Sequence, residues 1–236
     1  MNDHINGSAT VGGNDKPWLA SYPPGIPHEI EADPYSSVAD LLEKNCVKYA
    51  SRTAFTSMGK GLTFKELETL TANVGAWLQA QGLQKGDRVA VMLPNILQNP
   101  VISYGILRAG YVVVNVNPLY TPKELTYQLR DSGAKILFTL ENFANTVQQT
   151  ITQVPLQKVV IATMGDMLGL KGHIVNLVVR KVKKLVPAYS LPEAISFKTM
   201  LSEAKNLKLR PANIARNDVA FLQYTGGTTG VSKGAV

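Results

Sequence analysis

The sequence predicts an α/β fold, a mainly parallel sheet with helices flanking it on both faces. Two observations between Thr53 and Thr163 carry that expectation. Short, almost wholly apolar runs (Arg88 to Leu93, Tyr111 to Val116, Lys135 to Leu140, Lys158 to Thr163) have the composition of strands covered on both sides. Between them lie segments of about three turns with apolar residues at helical spacing and their own start and stop signals.

Taken in order, residues 1–35 hold Pro17, Pro23, Pro24, Pro27 and Pro34 among Gly and Asn, and are expected to form an extended leader rather than a regular element. Residues 36–236 then form the domain. Ser37 caps a helix to about Tyr49, with Val38, Leu41, Leu42 and Cys46 on its inner side. Thr53 to Met58 is a short strand. Thr63 and Glu66 form a capping box, each satisfying an orphan backbone amide of the helix that carries Leu67, Leu70, Val74, Trp77 and Leu78 and stops at Gly82. After the strand ending at Pro94, a helix runs from about Pro100 to Ala109. Thr121 and Glu124 form a second capping box, with Pro122 in the first turn and Gly133 at the end. A helix from Phe143 to Gln153 completes the alternation, and Val219 to Tyr224 is a last strand.

Composition narrows the function classes. The 236 residues are 45% apolar and carry a net charge of +7 from 24 Lys and Arg against 17 Asp and Glu, enough apolar material for a core and unlike a disordered chain. Cys46 is the single cysteine, and His4, His28 and His173 lack ligand spacing, so neither a disulfide nor a zinc centre is expected. The polar start MNDHINGSATVGGNDKP does not resemble a signal peptide, which makes the cytoplasm the expected compartment. Val89 to Leu107 is uncharged, but Pro94, Asn95, Gln98, Asn99 and Pro100 interrupt it, and no membrane span is expected.

Met167 to Pro192 contains no acidic residue and holds Lys171, Arg180, Lys181, Lys183 and Lys184. As a helix it gathers Ile174, Val175, Val178, Val182, Leu185 and Val186 on one face. Two readings fit: an ordinary helix with its apolar face on the core, or a helix lying on an anionic membrane. No aromatic residues interleave the basic ones, so nucleic acid is not an expected partner.

The chemistry concentrates after Tyr224, in Thr225-Gly226-Gly227-Thr228-Thr229-Gly230-Val231-Ser232-Lys233-Gly234. Glycines let backbone amides turn toward an anion, threonine hydroxyls donate to phosphate oxygens, and a lysine is a compact cation for a polyphosphate. The spacing is not that of a Walker loop, where Gly-Lys-Ser/Thr follows four residues after a Gly, nor of a dinucleotide fingerprint. A glycine-rich hairpin turn is the plainer alternative, but four glycines and a threonine cluster exceed what a tight turn needs.

YTGGTTGVSKG resembles the phosphate-binding signature of the adenylate-forming superfamily of acyl-CoA synthetases and luciferases. LTFKELETLTANVGAWLQAQGLQKGDRVAVMLPN and GILRAGYVVVNVNPLYTPKELTYQLRDSGA resemble the blocks preceding that loop. NVNPLYTPKEL and AFLQYTGGTTGVSKGAV are similar to bacterial long-chain fatty-acid–CoA ligases, and the resemblance runs from about Trp18 to Val236. It implies the N-terminal part of the large domain of that fold and a two-step reaction. A fatty-acid carboxylate attacks the α-phosphate of ATP, and coenzyme A then displaces AMP. Thr225, Gly226, Gly227, Thr228, Thr229, Gly230 and Lys233 would hold the triphosphate, with Mg2+ on the phosphates. Ser232 stands where the family often has proline, which bears on the stiffness of the loop.

The resemblance further implies that the adenine-, ribose- and magnesium-associated residues and a small C-terminal domain lie beyond Val236. No complete catalytic set and no metal ligand are therefore expected here, and the 236 residues alone are expected to be inactive and poorly soluble, with the last strand short of neighbours. The implied partners are a long-chain fatty acid, a second copy of the parent, and an anionic membrane at its inner surface. Other readings are a non-catalytic remnant that binds nucleotide or membrane, and a different acyl- or aryl-activating enzyme.

Overall fold

The structure, a computed structural model, describes residues 16–29, 34–225 and 232–236. The chain divides into two compact units, 1–34 and 35–236. In the first, Pro17–Ser21 forms a 3-10 turn, a short regular element within the expected leader.

The second unit is built on a seven-stranded sheet. Its helices are α1 (Val38–Lys48), α2 (Phe64–Ala80), α3 (Gln98–Arg108), α4 (Pro122–Ser132), α5 (Ala144–Thr150), α6 (Leu170–Leu177) and α7 (Phe197–Ala204). A separate antiparallel ribbon joins β1 (Thr53–Ser57) to β2 (Lys60–Thr63). The main sheet contains β3 (Arg88–Met92), β4 (Val112–Asn115), β5 (Ile136–Leu140), β6 (Lys158–Ala162), β7 (Ile195–Ser196), β8 (Phe221–Thr225) and β9 (Lys233–Ala235), in the order β7-β6-β5-β3-β4-β8-β9. Every neighbouring pair is parallel except β8 with β9. From β3 the chain first adds β4 on one side and then β5 on the other. Ligands of open parallel sheets sit beyond the carboxyl ends of the strands at such a reversal.

Strand side chains alternate between two cores. Val89, Val91, Val113, Ile136 and Phe138 face α1, α2, α3 and α7, while Ala90, Met92, Val114 and Leu137 face α4 and α5. This two-sided burial is why the strands carry no polar alternation. Trp77 is 1% exposed, edge-on to Phe138, and its indole N–H donates to Glu203 Oε2 at 2.8 Å.

Both expected capping boxes are formed. The Thr63 amide donates to Glu66 Oε2 at 2.8 Å and the Glu66 amide to Thr63 Oγ1 at 3.2 Å, and Thr121 and Glu124 repeat the arrangement ahead of Pro122. Gly133 closes α4 at φ 61°, a left-handed backbone in which glycine carries no Cβ penalty.

Several expectations change. In α1 the inner stripe is Ala39, Leu42 and Cys46, whereas Val38 and Leu41 are exposed. On the same helix Glu43 accepts from Arg108 Nε on α3 at 3.0 Å. The helix expected from Phe143 to Gln153 is a 3-10 turn (Glu141–Phe143), α5, and a second 3-10 turn (Ile151–Gln153), with no side chain capping its start. Within Met167 to Pro192 the basic helix is confined to α6 and a π turn over Val178–Val182. The last expected strand, β8, is flanked on both sides, by β4 and by β9. The elements β2, β7, α7 and β9 lie outside the sequence reading.

Candidate functional site

The glycine- and threonine-rich segment leaves the sheet at the carboxyl end of β8. Gly226, Gly227, Thr228, Thr229 and Gly230 lie outside the described residues; Thr225 and Lys233 are the described members of the expected set. The two face each other, because Thr225 pairs with Lys233 in the antiparallel β8–β9 ladder. Directly opposed residues of a ladder present their side chains on one face. Both are exposed. The connection is thus a hairpin, but one spanning 226–232, longer than the two-residue turns that join strands most tightly.

The stem is anchored from three directions. Tyr224 is 8% exposed and its hydroxyl donates to Asp131 Oδ2 of α4 at 2.5 Å. Burial, the hydrogen bond and the Asp131 charge all push the Tyr224 hydroxyl pKa well above the ordinary tyrosine range, so it stays a donor. Across the ladder, Gly234 lies against the Tyr224 ring; a Cβ there would come within 3.1 Å of it. On the other side, Asn115 Nδ2 donates to Gln223 Oε1 at 2.9 Å, tying β4 to β8. At the mouth, Ser232 Oγ donates to the Thr225 carbonyl at 3.0 Å. Where proline would stiffen the backbone, this serine clasps the two ends of the loop. Its residue type is visible in the sequence, its partner is not.

Beside the stem, on the face shared with Thr225, a cavity of about 380 Å³ opens between β1, the start of α3, Asn115 and Phe221. Among the described residues, no group of three His, Cys, Asp or Glu side chains is placed to hold a metal. No helix among them is long and apolar enough to cross a membrane.

The basic segment has an unusual polarity. Its inward side combines Val175, which packs against the core, with small and polar residues. Asn176 Oδ1 accepts from the Gly165 amide at 2.8 Å and its Nδ2 donates to Thr163 Oγ1 at 2.8 Å. Arg180 bonds Glu141 Oε2 through Nε at 2.8 Å and Nη2 at 2.7 Å. Glu141 is 1% exposed, and its hydrogen bond raises the Arg180 pKa against the opposing effect of burial. The outward side holds Ile174 (64% exposed), Leu177 (58%) and Val182 (68%). Of the expected apolar face, Val175 packs against the core and Val186 is half-buried, whereas Ile174, Val178, Val182 and Leu185 are exposed. Of the five basic residues, Arg180 serves the Glu141 pair and Lys171 donates to the Met58 carbonyl at 2.8 Å, while Lys181, Lys183 and Lys184 are exposed.

Comparison with known proteins gives a consistent picture. Residues 42–236 match the family described as AMP-binding enzyme. The chain is 48% identical over 224 residues to the long-chain-fatty-acid–CoA ligase of Yersinia pestis and 46% identical over 224 residues to that of Haemophilus influenzae, each alignment covering 94% of this chain and 40% of the relative. The chain thus spans about 40% of the length of these relatives. Among solved structures, an anthranilate CoA ligase in complex with anthranoyl-AMP superposes with a TM-score of 0.69 at 22% identity, covering 86% of this chain and 35% of that one. A long-chain-fatty-acid–CoA ligase from Archaeoglobus fulgidus gives 0.64 at 23% identity, covering 89% and 38%. These likenesses establish the fold.

Proposed function

The chain belongs to the AMP-binding enzyme family, and from that premise we propose that it supplies the phosphate-holding part of a long-chain fatty-acid–CoA ligase. The observation that carries this reading is the position of the Thr225–Lys233 connection. It leaves the sheet at the carboxyl end of the parallel strand β8, the edge beyond which ligands of open parallel sheets sit. There the loop amides, the hydroxyls of Thr225, Thr228 and Thr229 and the ammonium of Lys233 would surround the triphosphate of ATP.

In the first step an oxygen of the fatty-acid carboxylate bonds to the α-phosphorus, and pyrophosphate leaves with the bonding electrons. The thiol sulfur of coenzyme A then attacks the acyl carbonyl, losing its proton, and AMP departs. This chain's contribution would be charge: the loop amides and the Lys233 ammonium would meet the negative charge that grows on the leaving pyrophosphate. Among the described residues no acidic cluster is placed to hold a metal; Mg2+ carried by the nucleotide would offset the charge of its phosphates. The same reading carries a homodimeric intact protein and peripheral contact with an anionic membrane through Lys171, Lys181, Lys183 and Lys184.

The test replaces Thr228 and Thr229 by alanine and Lys233 by methionine in the intact protein and measures ATP-dependent formation of long-chain acyl-CoA. A loss of about two to three orders of magnitude with the fold unchanged is expected. Unchanged turnover would remove the assignment.

A further inference from the structure

We infer that the segment Leu170–Leu185 is a bilayer-inserting wedge, whose apolar side chains enter the acyl-chain layer while its lysines meet anionic headgroups. The inference rests on the membrane-contact reading above and deepens it from charge attraction to insertion.

Its basis is the inverted polarity of the segment. Leu170 is 89% exposed, Ile174 64% and Leu177 58% on α6, Val182 68% on its π turn and Leu185 56% just beyond it. Residues of one stripe on an isolated surface helix turn inward unless other contacts hold them out. Here such contacts exist. Gly172 sits backbone to backbone against Gly165, with no room for a Cβ on either. Asn176 is bonded to Gly165 and Thr163, and Arg180 to the buried Glu141. Beyond the π turn, Asn142 Nδ2 donates to the Leu185 carbonyl at 3.0 Å. The helix is thus fastened through Gly172, Val175, Asn176 and Arg180, and Leu170, Ile174 and Leu177 are presented outward. Exposed apolar surface of this kind needs a cover.

The charges select the cover. No acidic residue occurs from Met167 to Pro192, and Lys181, Lys183 and Lys184 are exposed in the same segment. A segment of exposed apolar residues and lysines, free of carboxylates, matches the boundary of an anionic bilayer, where both parts are satisfied at once. A protein partner would have to bring an acidic rim and an apolar centre together.

The experiment uses the intact protein with vesicles of phosphatidylcholine alone and of phosphatidylcholine mixed with phosphatidylglycerol. Three variants are compared: Ile174→Ser/Leu177→Ser, Lys181→Gln/Lys183→Gln/Lys184→Gln, and Leu119→Ser, which removes an apolar side chain 82% exposed elsewhere. Insertion predicts that the serine pair lowers partitioning onto mixed vesicles by about tenfold or more, and that Leu119→Ser leaves it unchanged. Ile174→Trp, which keeps the site apolar, should give a blue-shifted emission quenched by lipids brominated on their acyl chains. If the serine pair binds like the parent while the lysine variant is lost, insertion is wrong and the charge contact stands. If the parent binds neither vesicle, both fail. A wedge already covered, by a second copy or by other parts of the polypeptide, would show an indole buried without lipid, and that too overturns the proposal.

Discussion

Asp87 shows how single residues secure the sheet that carries the loop. Its carboxylate accepts from Lys135 Nζ at 2.7 Å and from the Gln84 amide at 2.7 Å, joining the start of β3 to that of β5. Burial raises its pKa, but the Lys135 hydrogen bond, the Gln84 amide and the charges of Lys135 and Arg88 outweigh it and hold the carboxyl below its ordinary value. A carboxyl with a depressed folded pKa adds stability above its unfolded pKa and loses it as pH falls through the folded one. Stability should therefore decline below about pH 4, and Asp87→Asn should cost about 1–3 kcal/mol at neutral pH and flatten that acid limb. Denaturant titrations of both proteins between neutral and acid pH would show it. Equal stabilities throughout would mean that the carboxylate holds nothing. Asp87 itself is legible in the sequence only as an acid in a Lys-Gly-Asp-Arg turn. Its partner Lys135 lies too far along the chain for any local pattern to join them.

At the scale of elements, local signals told most. Thr63 with Glu66 and Thr121 with Glu124 announce α2 and α4 because each box is completed within one turn, and the structure forms both. The strands β3, β4, β5 and β6 are legible as apolar runs because both of their faces are covered. What escaped depends on distant partners. The two-residue β7 exists because β6 offers an edge, and β9 because β8 does. Helix α7 follows β7 directly and is fixed by Phe197 and Met200 in the core. In the segment 170–185 periodicity locates apolar positions but not the side the protein binds, which is set by Gly172, Asn176 and Arg180 through partners outside the segment. Gly172→Ala tests that fastening. The added methyl would collide with the Gly165 carbonyl, so stability should fall by about 1–3 kcal/mol, as overpacking does. Thermal unfolding of the variant checks it, and a melting curve identical to the parent's would show that the helix is not held there.

For the whole molecule, the order β7-β6-β5-β3-β4-β8-β9 decides where chemistry can happen. Parallel strands place their carboxyl ends together, and β8 joins them beside β4 and then turns back as β9. The segment Thr225–Gly234 is legible as a phosphate-loop candidate from its four glycines, three threonines and a lysine in ten residues. Its stem is not. The Tyr224–Asp131 bond, the Asn115–Gln223 bond and the Ser232–Thr225 clasp each need the fold to bring their partners together. The most direct test is a crystal structure of the intact protein with magnesium and a non-hydrolysable ATP analogue. The account predicts β- and γ-phosphate oxygens about 2.7–3.2 Å from the amides of residues 226–230 and from Lys233 Nζ. Phosphates seated elsewhere, with that connection making no contact to the nucleotide, would contradict it.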